Sequence, residues 1–264
     1  MNCPSLLPAL AIQIGADVAE RQIAAAALAA ELGLPGLDEA SMASGTHLLA
    51  FTATHLELRT LGADAPGPIY VDFVAGAAAH RRRFGGGRGQ PLARAMGLKS
   101  GATPRVVDAT AGLGQDAFVL ACLGCTVELV ERSPIIAALL RDGLERARQD
   151  VEIGALARER LHLYNADGRE YLRALPLERR PEVVYLDPMY PQRRKSALTS
   201  KEMRLLRNLV GEDLDAPALL DAALTVAQRR VVVKRPRLAP ALAGPRPSAC
   251  IEAPNTRFDL YLLS

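Results

Sequence analysis

The chain has 264 residues and 28.2 kDa, is 49% hydrophobic and 23% charged, and carries 32 basic against 29 acidic side chains. That balance excludes a disordered tail, a collagen-like repeat and a disulfide-dense miniprotein; at roughly 100–200 residues per domain it predicts one large domain, or one with a smaller companion. No apolar run reaches the ~18–20 residues that span a bilayer, and the first basic residue is Arg21, so neither a membrane span nor a secretory leader is expected and the protein reads as soluble and cytoplasmic.

From the N-terminus, Ala16–Leu34 is rich in Ala and Leu and predicts a helix that stops at Gly33 and Pro35. Leu48–Thr52, His55–Leu61 and Ile69–Phe73 are short strand candidates, the second alternating apolar and polar residues as a half-buried strand does. Val74–Phe84 predicts a helix running into three glycines. Residues 1–90 are therefore read as a small N-terminal α/β module. At its end Arg81, Arg82, Arg83 and Arg88 flank those glycines, and His80–Val107 contains no acid. The order GxxxxGKS/T of a P-loop is absent. The segment instead suits contact with an RNA backbone or closure over a bound cofactor, and the lone His80 is read as structural.

Residues 91–264 alternate strand and helix. Strands are predicted at Arg105–Asp108, Thr126–Glu131, Leu161–Tyr164, Val183–Asp187, Val231–Lys234 and Phe258–Leu263, and helices at Asp116–Leu123, Pro134–Gln149, Lys201–Val210 and Pro217–Gln228. Such alternation implies right-handed crossovers and a mainly parallel, doubly wound, Rossmann-like sheet, with ligands bound beyond the carboxyl ends of its strands. Cys122 and Cys125 form a CxxC without a second CxxC or a His pair, so they are read as packing residues. Two further basic stretches, one containing Arg193, Arg194 and Lys195 and one from Arg229 to Arg246, add to the expected phosphate-contacting surface.

The first strand end reads Asp108-Ala-Thr-Ala-Gly112-Leu-Gly114-Gln115-Asp116 and leads into a helix. Glycine permits the tight turn and a close backbone approach to a ligand. The next strand ends in Glu131, whose carboxylate can accept hydrogen bonds from both ribose hydroxyls of a nucleoside. These features point to a nucleoside cofactor without separating a nicotinamide from S-adenosylmethionine. The fourth strand makes that separation: it ends Asp187-Pro188-Met189-Tyr190-Pro191, which resembles the Asn/Asp-Pro-Pro-Tyr/Phe loop of methyltransferases acting on amino groups of planar substrates. An exocyclic amine is a poor nucleophile because its lone pair is delocalised. Acceptance of its hydrogens by the Asp187 carboxylate and the Pro188 carbonyl would turn lone-pair density toward a methyl donor, while Tyr190 could stack on an extruded base. Met189 departs from the second proline and leaves adenine N6, cytosine N4, guanine N2 and a protein glutamine open as targets. A non-catalytic RNA-binding module with this fold is the remaining alternative.

The segments Asp72–Gln90, Asp108–Ala121, Val130–Leu144, Val183–Pro191, Lys195–Arg204, Val231–Pro236 and Arg257–Tyr261, in this order and spacing, resemble the bacterial small-subunit (16S) ribosomal RNA guanine-N2 methyltransferases of the RsmJ family. DPMYP is that family's own form of the loop. The resemblance implies a class I S-adenosylmethionine-dependent methyltransferase fold over residues 91–264. It also implies methyl transfer to N2 of a guanosine near the 3′ end of 16S rRNA, with 16S rRNA or the small subunit as partner and neither metal nor membrane. Cofactor contacts are implied at Asp108, Gly112, Gly114, Gln115, Asp116, Glu131, Arg132, Asp167, Gly168 and Asp187. Gln115 stands where relatives commonly have Arg, and Asp167-Gly168 where some have Ser-Ser. The catalytic loop is implied to be Asp187, Pro188 and Tyr190.

Overall fold

The computed structural model describes residues 12–36, 46–62, 65–76, 87–99, 101–189, 213 and 215–263. These form two compact units, one ending at Val71 and one beginning at Asp72.

The first unit holds a three-stranded sheet of β1 (Ile12–Ala16), β2 (His47–Phe51) and β3 (Leu56–Thr60). β1 and β2 run parallel, β2 and β3 antiparallel. Helix α1 (Gln22–Leu32) buries Ala25 and Leu28 and ends at left-handed Gly33. The helix expected from Ala16 thus begins six residues later. Ile12 and Ile14 bury their side chains in the sheet, so pairing with β2 holds Ala16 in a strand despite its helical neighbours. Ile69 makes a single bridge to Leu58 rather than a strand; Pro66 and Pro68 remove the ladder donors before it. Most of the helix expected over Val74–Phe84, and all of that over Lys201–Val210, lies outside the described residues.

The second unit contains α2 (Pro91–Met96), β4 (Arg105–Asp108), α3 (Gln115–Cys122), β5 (Thr126–Glu131), α4 (Pro134–Gln149), α5 (Gly154–Arg160), β6 (Leu161–Asn165), α6 (Gly168–Ala174), β7 (Val183–Leu186), α7 (Ala216–Val226), β8 (Arg230–Pro236), β9 (Ala249–Glu252) and β10 (Thr256–Leu262). Its sheet has the order β6-β5-β4-β7-β8-β10-β9. The five strands from β6 to β8 are parallel, and β10 runs antiparallel to both β8 and β9. β4, β7 and β8 are central and buried almost throughout, which is why they read as continuous Val-rich runs rather than alternating ones. Helix α4 starts cleanly because the Ser133 hydroxyl accepts the Ile136 N–H and Pro134 takes the first helical position. Cys125 is buried in the core and its thiol is pushed up to about 11 by that burial, while Cys122 is half-buried.

The turn from β4 into α3 places Gly112 and Gly114 at φ 54° and 72°. At Gly114 space is also lacking: a Cβ would lie 2.8 Å from Leu140 Cδ1 and 3.1 Å from Phe73 Cζ. Gly114→Ala should therefore cost about 2–4 kcal/mol through backbone strain and overpacking together, measured as a lower urea midpoint with an unchanged slope.

Candidate active site

β4, β7 and β8 lie side by side, and the segments that follow β4 and β7 are clipped to each other. The Asp187 N–H donates to the Thr110 hydroxyl at 2.6 Å, and the Thr110 N–H donates to Asp108 Oδ1 at 3.1 Å. One residue earlier the Ala109 N–H donates to the Tyr185 carbonyl, extending the β4–β7 ladder beyond β4. Asp187 and Pro188 therefore leave the sheet in a fixed direction. Met189 is held from the other side: its N–H donates to Asp213 Oδ2 at 2.6 Å, and Asp213 is paired with Arg132.

The charges inside this frame are concentrated. Lys234 Nζ, on β8, lies 2.7 Å from Asp187 Oδ2 and 2.9 Å from Asp116 Oδ2. The Tyr185 hydroxyl donates to the same Asp116 oxygen at 2.7 Å. Asp108 is buried beside them. Burial pushes the Asp108 and Asp187 carboxyls upward; Lys234 opposes the rise at both, and Asp116 adds to it. Burial also works against the Lys234 charge, but Asp187 and Asp116 outweigh it and raise the ammonium above its ordinary value. Tyr185, raised by burial and by the surrounding carboxylates, is a neutral donor. A cavity of about 250 Å³ opens beside Lys234 and Asp116, walled by Gln90, Pro91, Leu92, Pro254 and Phe258 among others.

Glu131 closes β5, only 6% exposed. Its Oε2 accepts the Gly112 N–H at 2.9 Å and its Oε1 the Ser133 N–H at 2.7 Å, so one carboxylate ties the glycine turn to the start of α4. Burial raises its carboxyl, and these two N–H groups pull it back. Each oxygen keeps a lone pair for a further donor. Among the other residues implied for the cofactor, Arg132 pairs with Asp213 and Asp215, and Asp167 caps α6 through the Arg169 and Glu170 N–H groups. Burial opposes the Asp167 charge, but Arg169 and those N–H groups hold the carboxyl below its ordinary value. A Cβ on Gly168 would meet the Ala109 carbonyl at 2.6 Å, so this glycine lets the β6 and β4 loops touch. Gln115 is exposed on the first turn of α3.

Of the basic residues expected on an RNA surface, Arg88 is committed to backbone carbonyls, donating to those of Leu98, Ala102 and Leu123. Arg81, Arg82, Arg83, Arg193, Arg194 and Lys195 lie outside the described residues, as do His80 and Tyr190. Thr110, Tyr185, Asp213 and Lys234 are the site residues that sequence reasoning missed. The available signal was Lys234 itself, a charge directly after the apolar run Val231–Val233 at the end of the predicted strand.

The family model described as "Putative SAM-dependent methyltransferase" matches residues 28–263. The chain is 55% identical over 253 residues to ribosomal RNA small subunit methyltransferase J of Tolumonas auensis, covering 96% of this chain and 98% of that one. It is likewise 55% identical over 260 residues to the protein of that name from Pseudomonas aeruginosa, covering 97% and 96%. Among solved structures, a SAM-dependent methyltransferase from Neisseria gonorrhoeae superposes with a TM-score of 0.74 at 37% identity, over 95% of each chain.

The clasp on Met189 has a measurable consequence. Asp213→Ala removes the acceptor of its N–H and leaves Arg132 with Asp215 alone. Losing such a bond is worth roughly 1–3 kcal/mol of local stability, so hydrogen exchange at the Met189 amide should accelerate about tenfold or more while amides of β4 and β7 keep their protection.

Proposed function

The chain belongs to the SAM-dependent methyltransferase family, and on that premise we propose that it methylates the exocyclic N2 of a guanosine near the 3′ end of 16S rRNA. The observation that carries this reading is the Asp187-Pro188 corner, clipped by Thr110 and Asp213 at the carboxyl end of the sheet. The relatives' activity on ribosomal RNA of the small subunit supports the same substrate.

The residues present fit S-adenosylmethionine. Glu131 is an anionic acceptor at the end of β5 with lone pairs for a ribose diol, and Gly112 beside it has open space on its Cβ side out to 4.0 Å. Asp108, Gly114, Gln115, Asp116, Asp167 and Gly168 border the same strand ends, and Arg132 pairs with Asp213 and Asp215. When bound, the cofactor supplies an electrophilic methyl group on a sulfonium.

The chain's own part is to make a poor nucleophile competent. The Asp187 carboxylate and the Pro188 carbonyl accept the two hydrogens of the guanine amine and fix its plane. Asp187 also lowers the energy of positive charge growing on N2, as an electrostatic partner rather than a strong base. Tyr190 stacks on the extruded base. Arg81–Arg83 and Arg193–Lys195 bind the RNA backbone. No helix among the described residues is long and apolar enough to cross a membrane.

Tritium transfer from labelled cofactor to small subunits and to their deproteinised RNA, followed by nucleoside analysis, tests the reading. N2-methylguanosine is expected, and label in another nucleoside or in protein overturns it. Glu131→Ala should weaken S-adenosylmethionine binding by about 1–3 kcal/mol in calorimetry, through lost charge-assisted hydrogen bonds. Asp187→Asn, which keeps shape but removes charge, should slow single-turnover transfer on the order of 10²–10³-fold with cofactor affinity changed only a few-fold.

A further inference from the structure

Along the edge that carries its amine, guanine offers two donors and then an acceptor: N2–H, N1–H and O6. A carboxylate matches the two donors. The third position requires an N–H group immediately beside that carboxylate. Asp187 and Lys234 stand in this order, because the Lys234 ammonium lies 2.7 Å from Asp187 Oδ2. It occupies one of the roughly four lone-pair sites of the carboxylate and leaves acceptor capacity for an amine.

Two observations show the ammonium to be positioned rather than incidental. Its second bond, to Asp116 Oδ2, is backed by the Tyr185 hydroxyl on the same oxygen, so the nitrogen is held from behind. Its stem rises from the buried strand β8, between Val233 and Arg235, rather than from a loop. Lys234 also lines the cavity of about 250 Å³ whose walls include Pro91, Leu92, Pro254 and Phe258, surfaces suited to the flat face of a ring.

We propose that Lys234 sets the base specificity of this site, donating to O6 of the guanine whose N2–H and N1–H rest on Asp187. The assignment builds on the guanine-N2 reading above. Adenine reverses the pattern: its N1 lone pair would face the carboxylate and its N6–H₂ the ammonium, so both contacts turn repulsive. A lysine present only to balance the charges of Asp108, Asp116 and Asp187 would favour no base over another.

That difference defines the experiment. Small-subunit RNA is prepared with guanosine or with 2,6-diaminopurine riboside at the methylated position, and single-turnover rates are measured at saturating RNA. Diaminopurine keeps the 2-amino group but carries an N1 lone pair and a 6-amino donor. The wild-type protein should prefer guanosine on the order of 10²-fold. Lys234→Met weakens the charge on Asp187 and so slows both bases, but it should slow guanosine methylation about tenfold or more beyond the loss on diaminopurine, so the preference collapses. Lys234→Arg, which keeps a cationic donor, should retain most of it. Equal loss on both bases in Lys234→Met overturns the proposal and leaves the guanine-N2 reading standing. Absence of discrimination by the wild-type protein overturns it without any variant. Failure of the wild-type protein to methylate guanosine overturns the underlying reading, and the proposal with it.

Discussion

Three carboxylates, Asp108 buried and Asp116 and Asp187 half-buried, approach one another at the ends of β4 and β7 and on the first turn of α3, and they cannot gather there as anions without a cation. Uncompensated, the charges would repel one another in a partly dehydrated site, and the group would take up protons instead. Lys234 supplies the compensation, with the Tyr185 hydroxyl as a neutral second donor. This constraint reaches into the fold. Lys234 can meet Asp187 only because β8 pairs in parallel with β7, and Asp116 can join them only because the glycine turn after β4 delivers α3 to the same end of the sheet. The sheet order and the charge balance are therefore one requirement seen at two scales.

Around that centre the loops are held by bonds that do not depend on a ligand. Glu131 fastens the glycine turn to α4, Thr110 fastens Asp187 to the β4 loop, and Asp213 with Arg132 fastens Met189. The acceptors proposed to receive the substrate amine thus belong to a frame whose backbone is fixed before substrate arrives. Preorganised dipoles of this kind lower a barrier because no reorganisation is needed during the reaction. It follows that side chains remote from the chemistry, such as Asp213, take part in setting its geometry.

The central strands were legible in the sequence because burial on both faces leaves an unbroken apolar signature, and Arg105–Asp108, Thr126–Glu131 and Pro134–Gln149 fall where patterning places them. β9 was not, since a four-residue, largely exposed edge strand has nothing to alternate. α5 and α6 have seven residues each, too few for a helical period to emerge. Residues at strand ends announce themselves by position, so Asp187 and Glu131 could be singled out from spacing. Their partners could not. Arg88 and Lys234 look alike in sequence, each a cation in a basic stretch, yet one caps carbonyls of the fold and the other faces the acidic centre. Only the register between β7 and β8, a tertiary fact, separates them.

The account depends on the guanine amine coming to rest on Asp187. The most direct test is the structure of the protein with S-adenosylhomocysteine and a short RNA bearing the target guanosine. The account predicts an extruded guanine with N2 about 3 Å from both the Asp187 carboxylate and the Pro188 carbonyl, its O6 toward Lys234. A guanine bound with its amine turned away from Asp187 would contradict it.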